Sequence, residues 1–416
     1  MGSTSYWQAE ADLSTPLRAE PLGERLEAEV AIIGAGITGV AAALWLARAG
    51  RRAVVLEARR IAAGASGRNA GFLLGGTAEP YALEIARYGH ERARQVWAYS
   101  LENHRLAAEL IGELREQGWD CGYRQRGSLR LAVTEAELAD IQRSVGLLRA
   151  DGWAVEPLAR ADLPTALRAA YLGGSFHAAD GEVYPVRYVR GLARLAQQAG
   201  ATLYEESPVT RLREDGAGLW VETPDGAVHA QHVVLAANAW LPELAPLVDA
   251  AWLRGSIVPT RGQVLATAPI AESLFACPCY ADEGYQYWRQ LPDGRLVVGG
   301  WRNHSFATEN SADETPSESV QRHLDGFVRE TLGLAEVPIE HRWAGIMAFS
   351  ADELPLVGRL PGSERCYIAG GYTGHGNAYA VAAARTISRL ITGAPDPDAP
   401  LFDPARIAAA MDEAGA

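Results

Sequence analysis

Two glycine-rich stretches, one near each end of the chain, hold the residues best suited to chemistry. Near the start, Gly34, Gly36 and Gly39 fit G-x-G-x-x-G with Ala35, Ile37 and Thr38 between them, and Glu57 follows roughly twenty residues on. The first glycine permits a tight turn, the second lets backbone approach a pyrophosphate, and the third lets a helix pack on a strand. Glu57 can accept hydrogen bonds from ribose hydroxyls. Near the end, residues 370 to 379 read GGYTGHGNAY. They place Gly371, Tyr372, Gly374, His375, Gly376 and Asn377 directly ahead of an apolar run from Ala380 to Ile391. A helix start of this kind turns the backbone N–H groups of Gly374, His375, Gly376 and Asn377 toward negative charge. His375 has two uses there, as a base or as a lender of its backbone, and its flanking glycines favour the second.

Regular elements must hold these residues. Around the first stretch the pattern reads strand Val30 to Ile33, turn Gly34 to Gly39, alanine-rich helix Val40 to Ala49 ended by Gly50, then strand Val54 to Leu56. After the second, a helix over 377 to 391 is expected. Helical periodicity runs from Tyr81 to about Ala150, interrupted by a strand within Gly127 to Thr134. Pro185 to Gly200 is a helix begun by proline and stopped by glycine, with the strand TLYEE after it. Pro224-Asp225-Gly226 and Pro292-Asp293-Gly294 mark two hairpins, and His232 to Trp240 is a buried strand running into a turn. The chain therefore reads as βαβ units at both ends with antiparallel hairpins between them. From Gly393 a surface strap with one short helix is expected.

Composition removes several classes. A chain of 416 residues can bury a large core, in two domains or one intertwined one. Its net charge of −13 argues against nucleic acid or an anionic membrane as partner. Every cation is arginine, so a lysine Schiff base or lysine clamp is excluded. Cys121, Cys277, Cys279 and Cys366 read as reduced thiols, and neither they nor the histidines have metal-ligand spacing, so no metal is expected. No apolar run is long enough for a bilayer span. The N-terminus lacks the build of a secretory signal, so a cytoplasmic location is expected. The oligomeric state stays open.

Gly64 to Leu73, GASGRNAGFL, distinguishes between dinucleotides. FAD needs polar backbone along its ribityl chain and a wall beside its ring, which Ser66, Arg68 and Asn69 in a small flexible loop can supply; a nicotinamide domain has little use for such a loop. In GYQYWRQ, alternation places Tyr285, Tyr287 and Arg289 on one face and Gln286, Trp288 and Gln290 on the other. One face would cover the flavin, and the pattern does not say which.

VAIIGAGITG…VVLEA, GASGRNAG, VLAANAW, DELPLVGR and GGYTGHG, in this order, resemble the D-amino-acid oxidase-like family of FAD-dependent amine and amino-acid oxidoreductases over essentially the whole chain. SYW, YWRQLPDGRLVVGG and RWAG are similar to its γ-glutamylputrescine oxidoreductase branch. The resemblance implies a mixed α/β fold with a Rossmann-type FAD-binding domain and an antiparallel-sheet substrate domain, p-hydroxybenzoate-hydroxylase-like and of glutathione-reductase type. Its implied boundaries are an N-terminal extension over 1–27, a discontinuous FAD-binding domain over 28–85, 150–245 and 341–416, and a substrate-binding domain over 86–149 and 246–340. It adds to the FAD contacts Ala58 and Arg59 beside Glu57, then Ala65, Gly67, Ala70, Gly71 and Phe72 around Ser66, Arg68 and Asn69. Val209, Ala236, Ala237, Trp240, Gly345 and Met347 complete the set, so that two helix starts grip opposite ends of one flavin nucleotide.

The implied reaction is oxidation of a small amine at its C–N bond, by hydride transfer to flavin and hydrolysis of the imine, with electrons passed to O2 or another acceptor. Tyr287, Arg289 and His375 are the catalytic candidates. Arg68, Tyr285, Trp288, Trp301, Trp343, Met347 and Tyr372 are those for substrate. Two family features are missing. Many amino-acid oxidases of the family place a carboxylate-binding arginine where this chain has Met347, and sarcosine oxidase-like members place a lysine where it has Ala378. A carboxylate buried without a cation costs several kcal/mol. The substrate's amine carbon therefore bears no carboxylate, or its carboxylate reaches Arg68 or Arg289; the first is favoured. WAGIMAFS holds no cysteine for covalent attachment, so noncovalent FAD is expected. The other readings are an amino-acid or cyclic imino-acid oxidase or dehydrogenase with a relocated arginine, and a flavin-binding module without catalysis.

Overall fold

The computed structural model describes residues 3–10, 17 and 19–415, with backbone alone for 412–415. Two mixed layers meet face to end. In the first sheet the strands lie in the order Leu356–Arg359, Cys366–Gly370, Ala227–Leu235, Arg25–Ile33, Ala53–Leu56 and Thr202–Tyr204. From Cys366–Gly370 onward the neighbours are parallel. The β-branched run at Val30, Ile32 and Ile33 is buried on both sides, as a covered parallel strand must be.

The helix Ile37–Arg48 starts three residues earlier than its alanine pattern suggests. Only Gly34 to Gly36 make the turn, because Gly39 packs on Gly34 from within the helix. Its alanines 41 to 43 are fully buried, and small side chains let the helices Pro185–Gln198 and Gly376–Thr392 lie close against it.

The second sheet runs Ile339–Ser350, Ile257–Thr267, Leu296–Gly300, Gln286–Gln290, Cys279–Ala281, Ser128–Leu131, Gly173–His177 and Val155–Ala159. Both Pro-Asp-Gly hairpins form, Leu219–Glu222 with Ala227–Leu235 and Gln286–Gln290 with Leu296–Gly300. The first hairpin's second strand and the buried strand at His232 are one continuous element.

Several boundaries differ from expectation. Val155–Ala159 and Gly173–His177, expected with the FAD-binding segments, lie in the second sheet, where Gly173–His177 pairs with Val155–Ala159 on one side and Ser128–Leu131 on the other. Ile339–Ser350 pairs along its length with Ile257–Thr267, so this sheet claims the start of the last segment too. At the C-terminal end a strand and a helix form, and among the described residues no strand follows to complete a βαβ unit.

Residues 3 to 9 are no loose extension. The helix Tyr6–Ala9 is closed by a Ser5/Gln8 capping box, and Tyr6 and Trp7 are buried. The tail is likewise anchored: Phe402 is buried against Tyr99 and Tyr379, ahead of the helix Ala405–Gly415. All four cysteines are free and buried. No helix among the described residues is long and apolar enough to cross a membrane.

Candidate active site

A cavity of about 530 Å3 lies where the parallel strands end at Ile33, Leu56 and Ala236, roofed by Gly262, Tyr287, Gly345 and Met347 of the second sheet. The turn and helix start at its floor accept only glycine at two points. Gly34 has φ +107°, and a Cβ there would stand 2.7 Å from the Ala236 carbonyl oxygen. A Cβ on Gly39 would stand 1.9 Å from the Gly34 carbonyl oxygen. Helix Ile37–Arg48 thereby presents its first N–H groups to the cavity, where Ser66 Oγ accepts from Ile37 N–H at 3.0 Å.

Glu57 accepts from the backbone N–H groups of Ala35 at 2.8 Å and Arg59 at 2.9 Å, one on each carboxylate oxygen. Burial pushes its carboxyl upward against those two hydrogen bonds. Each oxygen keeps a further lone pair for a ligand hydroxyl.

The second helix start, Gly376–Thr392, lines the same cavity. The two starts are tied to each other, since Tyr372 OH and Thr38 Oγ1 are hydrogen-bonded at 2.8 Å. Asn377 Nδ2 donates to Asn69 Oδ1 at 3.0 Å and the Phe72 carbonyl at 2.9 Å, and Trp7 Nε1 donates to the Asn69 carbonyl at 2.8 Å. Loop 64–73, the last helix and the N-terminal segment are therefore one hydrogen-bonded unit. His375 N–H is engaged by the Tyr372 carbonyl at 2.9 Å, so of the four backbone donors expected here it is not free.

The imidazole of His375 is also placed. Its Nδ1 lies 3.4 Å from the Thr373 carbonyl and its Nε2 3.2 Å from Tyr280 OH. A carbonyl only accepts, so Nδ1 carries the proton and Tyr280 O–H donates to Nε2. Burial, with help from Arg130, lowers His375 to about 4, so it is neutral near pH 7. Tyr280 lines the cavity, and its oxygen, while donating, still has acceptor capacity. Burial raises its phenol well above the usual range and that of Tyr287 to about 12.

Strand Gln286–Gln290 turns Tyr287 to the cavity, with Tyr285 just before it, and buries Trp288 in the core behind. The Tyr287 ring lies over Gly299, where a Cβ would stand 2.2 Å from it. Gly34, Gly36, Ile37, Thr38, Glu57, Ala58, Arg59, Ala65, Ser66, Asn69, Ala70, Phe72, Val209, Ala236, Ala237, Trp240, Gly345, Met347, Tyr372, Gly374, Gly376 and Asn377 all line the cavity.

Others shape the cavity from behind. Ala35 and Gly39 act as above. The Gly67 carbonyl accepts from Ser5 Oγ at 2.7 Å, Gly71 N–H donates to Asn69 Oδ1 at 2.7 Å, and Gly371 N–H donates to Asn238 Oδ1 at 3.1 Å.

Both expected anion handles are engaged elsewhere. Arg289 is 1% exposed, pairs with Glu182 at 3.3 Å, donates to the Val183 carbonyl at 2.9 Å and covers the Trp7 ring; it does not line the cavity. Arg68 reaches the wall, but its guanidinium donates to the carbonyls of Ala63, Ser3 and Ala344 and pairs with Glu314. Trp301 packs on Phe327, and Trp343 is fully buried with its Nε1 on the Arg68 carbonyl; neither lines the cavity. Among the described residues no cluster of His, Cys, Asp and Glu could hold a metal ion.

Sequence reasoning missed Tyr280, Arg302 and Phe349, all of which line the cavity. Arg302 stood in plain view, two residues beyond the strand end VVGG, where a sheet hands its chain to a site. Tyr280 sits in a three-residue strand directly after Cys279 and carries no such signal.

The family model described as FAD dependent oxidoreductase (DAO) matches residues 29–390. Gamma-glutamylputrescine oxidoreductase of Escherichia coli (strain K12) is 30% identical over 96% of this chain and 91% of its own length. A probable oxidoreductase, OrdL, of Haemophilus influenzae is 28% identical over 90% of this chain and 85% of its own. Among solved structures, glycine oxidase from Geobacillus kaustophilus superimposes with a TM-score of 0.77 at 25% identity, covering 92% of this chain and 98% of that one.

Proposed function

Because the chain belongs to the family of FAD dependent oxidoreductases (DAO), we propose that this cavity binds FAD noncovalently and oxidises a small amine at its C–N bond to an imine, which water then hydrolyses to a carbonyl compound and a free amine. FAD, when bound, supplies the two-electron acceptor that takes a hydride from the carbon bearing nitrogen. Glu57 would hold ribose hydroxyls, the N–H groups of the Gly36 turn the pyrophosphate, and the start of helix Gly376–Thr392 the ring edge where negative charge arrives.

The observation that carries this reading is the convergence of two helix starts on one cavity, tied together through Thr38 and Tyr372. The remaining work falls to the phenols. Tyr280, its O–H donating to His375 Nε2, presents an oxygen that accepts N–H from a neutral amine and so aligns the nitrogen. Neutral His375 positions Tyr280 and is a poor proton acceptor from an ammonium ion. Tyr287 and Met347 close the roof against water.

An anaerobic reduction screen tests this. Polyamines, N-methylamines, proline-like acids and D-amino acids are mixed with the yellow protein, and at least one group should bleach the flavin bands. Peroxide release or dye reduction then names the acceptor. A yellow protein bleached by no amine would overturn the proposal.

A further inference from the structure

Among the described residues, one cation at the cavity has no anion or acceptor. Three arginines line it: Arg59, paired with Glu314 at 2.9 Å; Arg68, fully engaged; and Arg302. Among the described residues Arg302 makes neither a side-chain hydrogen bond nor an ion pair. Its guanidinium carbon instead lies 4.5 Å from the Phe349 ring, 4.7 Å from Tyr285 and 5.4 Å from Phe306. Ring faces hold a guanidinium by its plane. They leave its in-plane N–H donors unused, and that fork is the geometry that grips a planar anion with two hydrogen bonds.

The position is built. Trp301 at φ +58° turns the chain out of strand Leu296–Gly300. The segment after Arg302 is pinned by a buried pair in which Arg261 Nε and Nη2 each meet Glu309 at 2.8 Å, with Gln263 Nε2 on the same carboxylate at 2.7 Å. Phe349 bridges to Tyr372, and a Cβ on Gly374 would stand 3.9 Å from its ring. Arg302 is thus at the end of the cavity where the last helix starts, and its charge reaches both Tyr280 and Tyr287. The nearby wall acids Glu79 and Glu353 are both paired with Arg87, and Glu283 is exposed.

We propose that Arg302 receives a carboxylate of the substrate, so that the amine oxidised here is an amino acid or an N-substituted amino acid. This inference rests on the amine-oxidation reading of the same cavity. It reverses the favoured expectation of a carboxylate-free amine, which followed from the absence of an arginine at Met347 and of a lysine at Ala378, and it gives Arg302 the role that the alternative had assigned to Arg68 or Arg289.

The test uses matched pairs in anaerobic stopped-flow reduction of the holoenzyme: N-methylglycine against dimethylamine, proline against pyrrolidine. Wild type should prefer the carboxylated member, and Arg302→Leu should weaken its apparent binding about a hundredfold, with Arg302→Lys intermediate and flavin content unchanged in both. Benzoate titration followed by the flavin spectrum gives a second readout, and its binding should be lost in Arg302→Leu. Equal reduction by both members in wild type, or benzoate binding untouched by the substitution, would overturn the assignment. If no amine reduces the flavin but benzoate binding still needs Arg302, the anion site stands and the amine-oxidation reading fails.

Discussion

Two buried side chains with no role at the cavity show what the surroundings do to a charge. Arg289 is buried with Glu182 and carbonyls around it, so its charge is compensated and it serves the core. Glu84 is fully buried with only Thr77 donating to one carboxylate oxygen, while Oε2 has no partner. Burial raises it to about 7. A carboxyl whose folded value lies above its unfolded one binds more protons when folded. Its contribution is therefore fully present below the unfolded value near 4.5 and is lost as pH rises through 7. The shift corresponds to about 3 kcal/mol. Denaturant titrations at pH 5 and pH 8.5 should show wild type losing stability of this order on going alkaline, and Glu84→Gln should flatten that slope. An unchanged slope in the variant would assign it to other groups.

At the scale of elements, the helix starts depend on close backbone approach. The glycines at 36 and 39 lie in one motif yet differ in kind. A Cβ at Gly39 meets a backbone carbonyl oxygen at 1.9 Å, whereas one at Gly36 meets Ser66 Oγ at 2.9 Å, a side chain that can rotate. Gly39→Ala should therefore lower the melting temperature of the apoprotein, since helix Ile37–Arg48 must lift off its strand. Gly36→Ala should leave that temperature nearly unchanged and weaken FAD binding instead. Thermal melts with and without added FAD separate the two; equal apoprotein melts would show that the backbone contact is unimportant. The motif was legible in sequence. The helix's true start was not, because it depends on where Gly39 packs.

For the whole molecule, the cavity is lined from both sheets and the N-terminal segment braces its loop 64–73 through Ser5 and Trp7, so the wall is complete only when distant parts of the chain have come together. No cysteine lines it, and all four are buried elsewhere. Trichloroacetic acid precipitation should consequently release all yellow colour into the supernatant, and colour retained in the pellet would refute noncovalent binding. The order of secondary elements could be read from turn residues and periodicity. Which sheet claimed Val155–Ala159 and Gly173–His177 could not, since a short strand is compatible with either partner until its neighbour is in place.

The chain's own order of residues determined the dinucleotide turn, Glu57, the glycine-lined second helix start and both hairpins, because each is set by local geometry: a glycine where a Cβ would clash, an acid at a strand end, a turn that only certain residues make. Tertiary structure alone decided which arginine is free. Arg68, Arg289 and Arg302 are the same residue type in similar polar surroundings along the chain, and only folding brought carbonyls and carboxylates to the first two and aromatic faces to the third. A side chain's partners are long-range contacts, and no spacing along a strand records them.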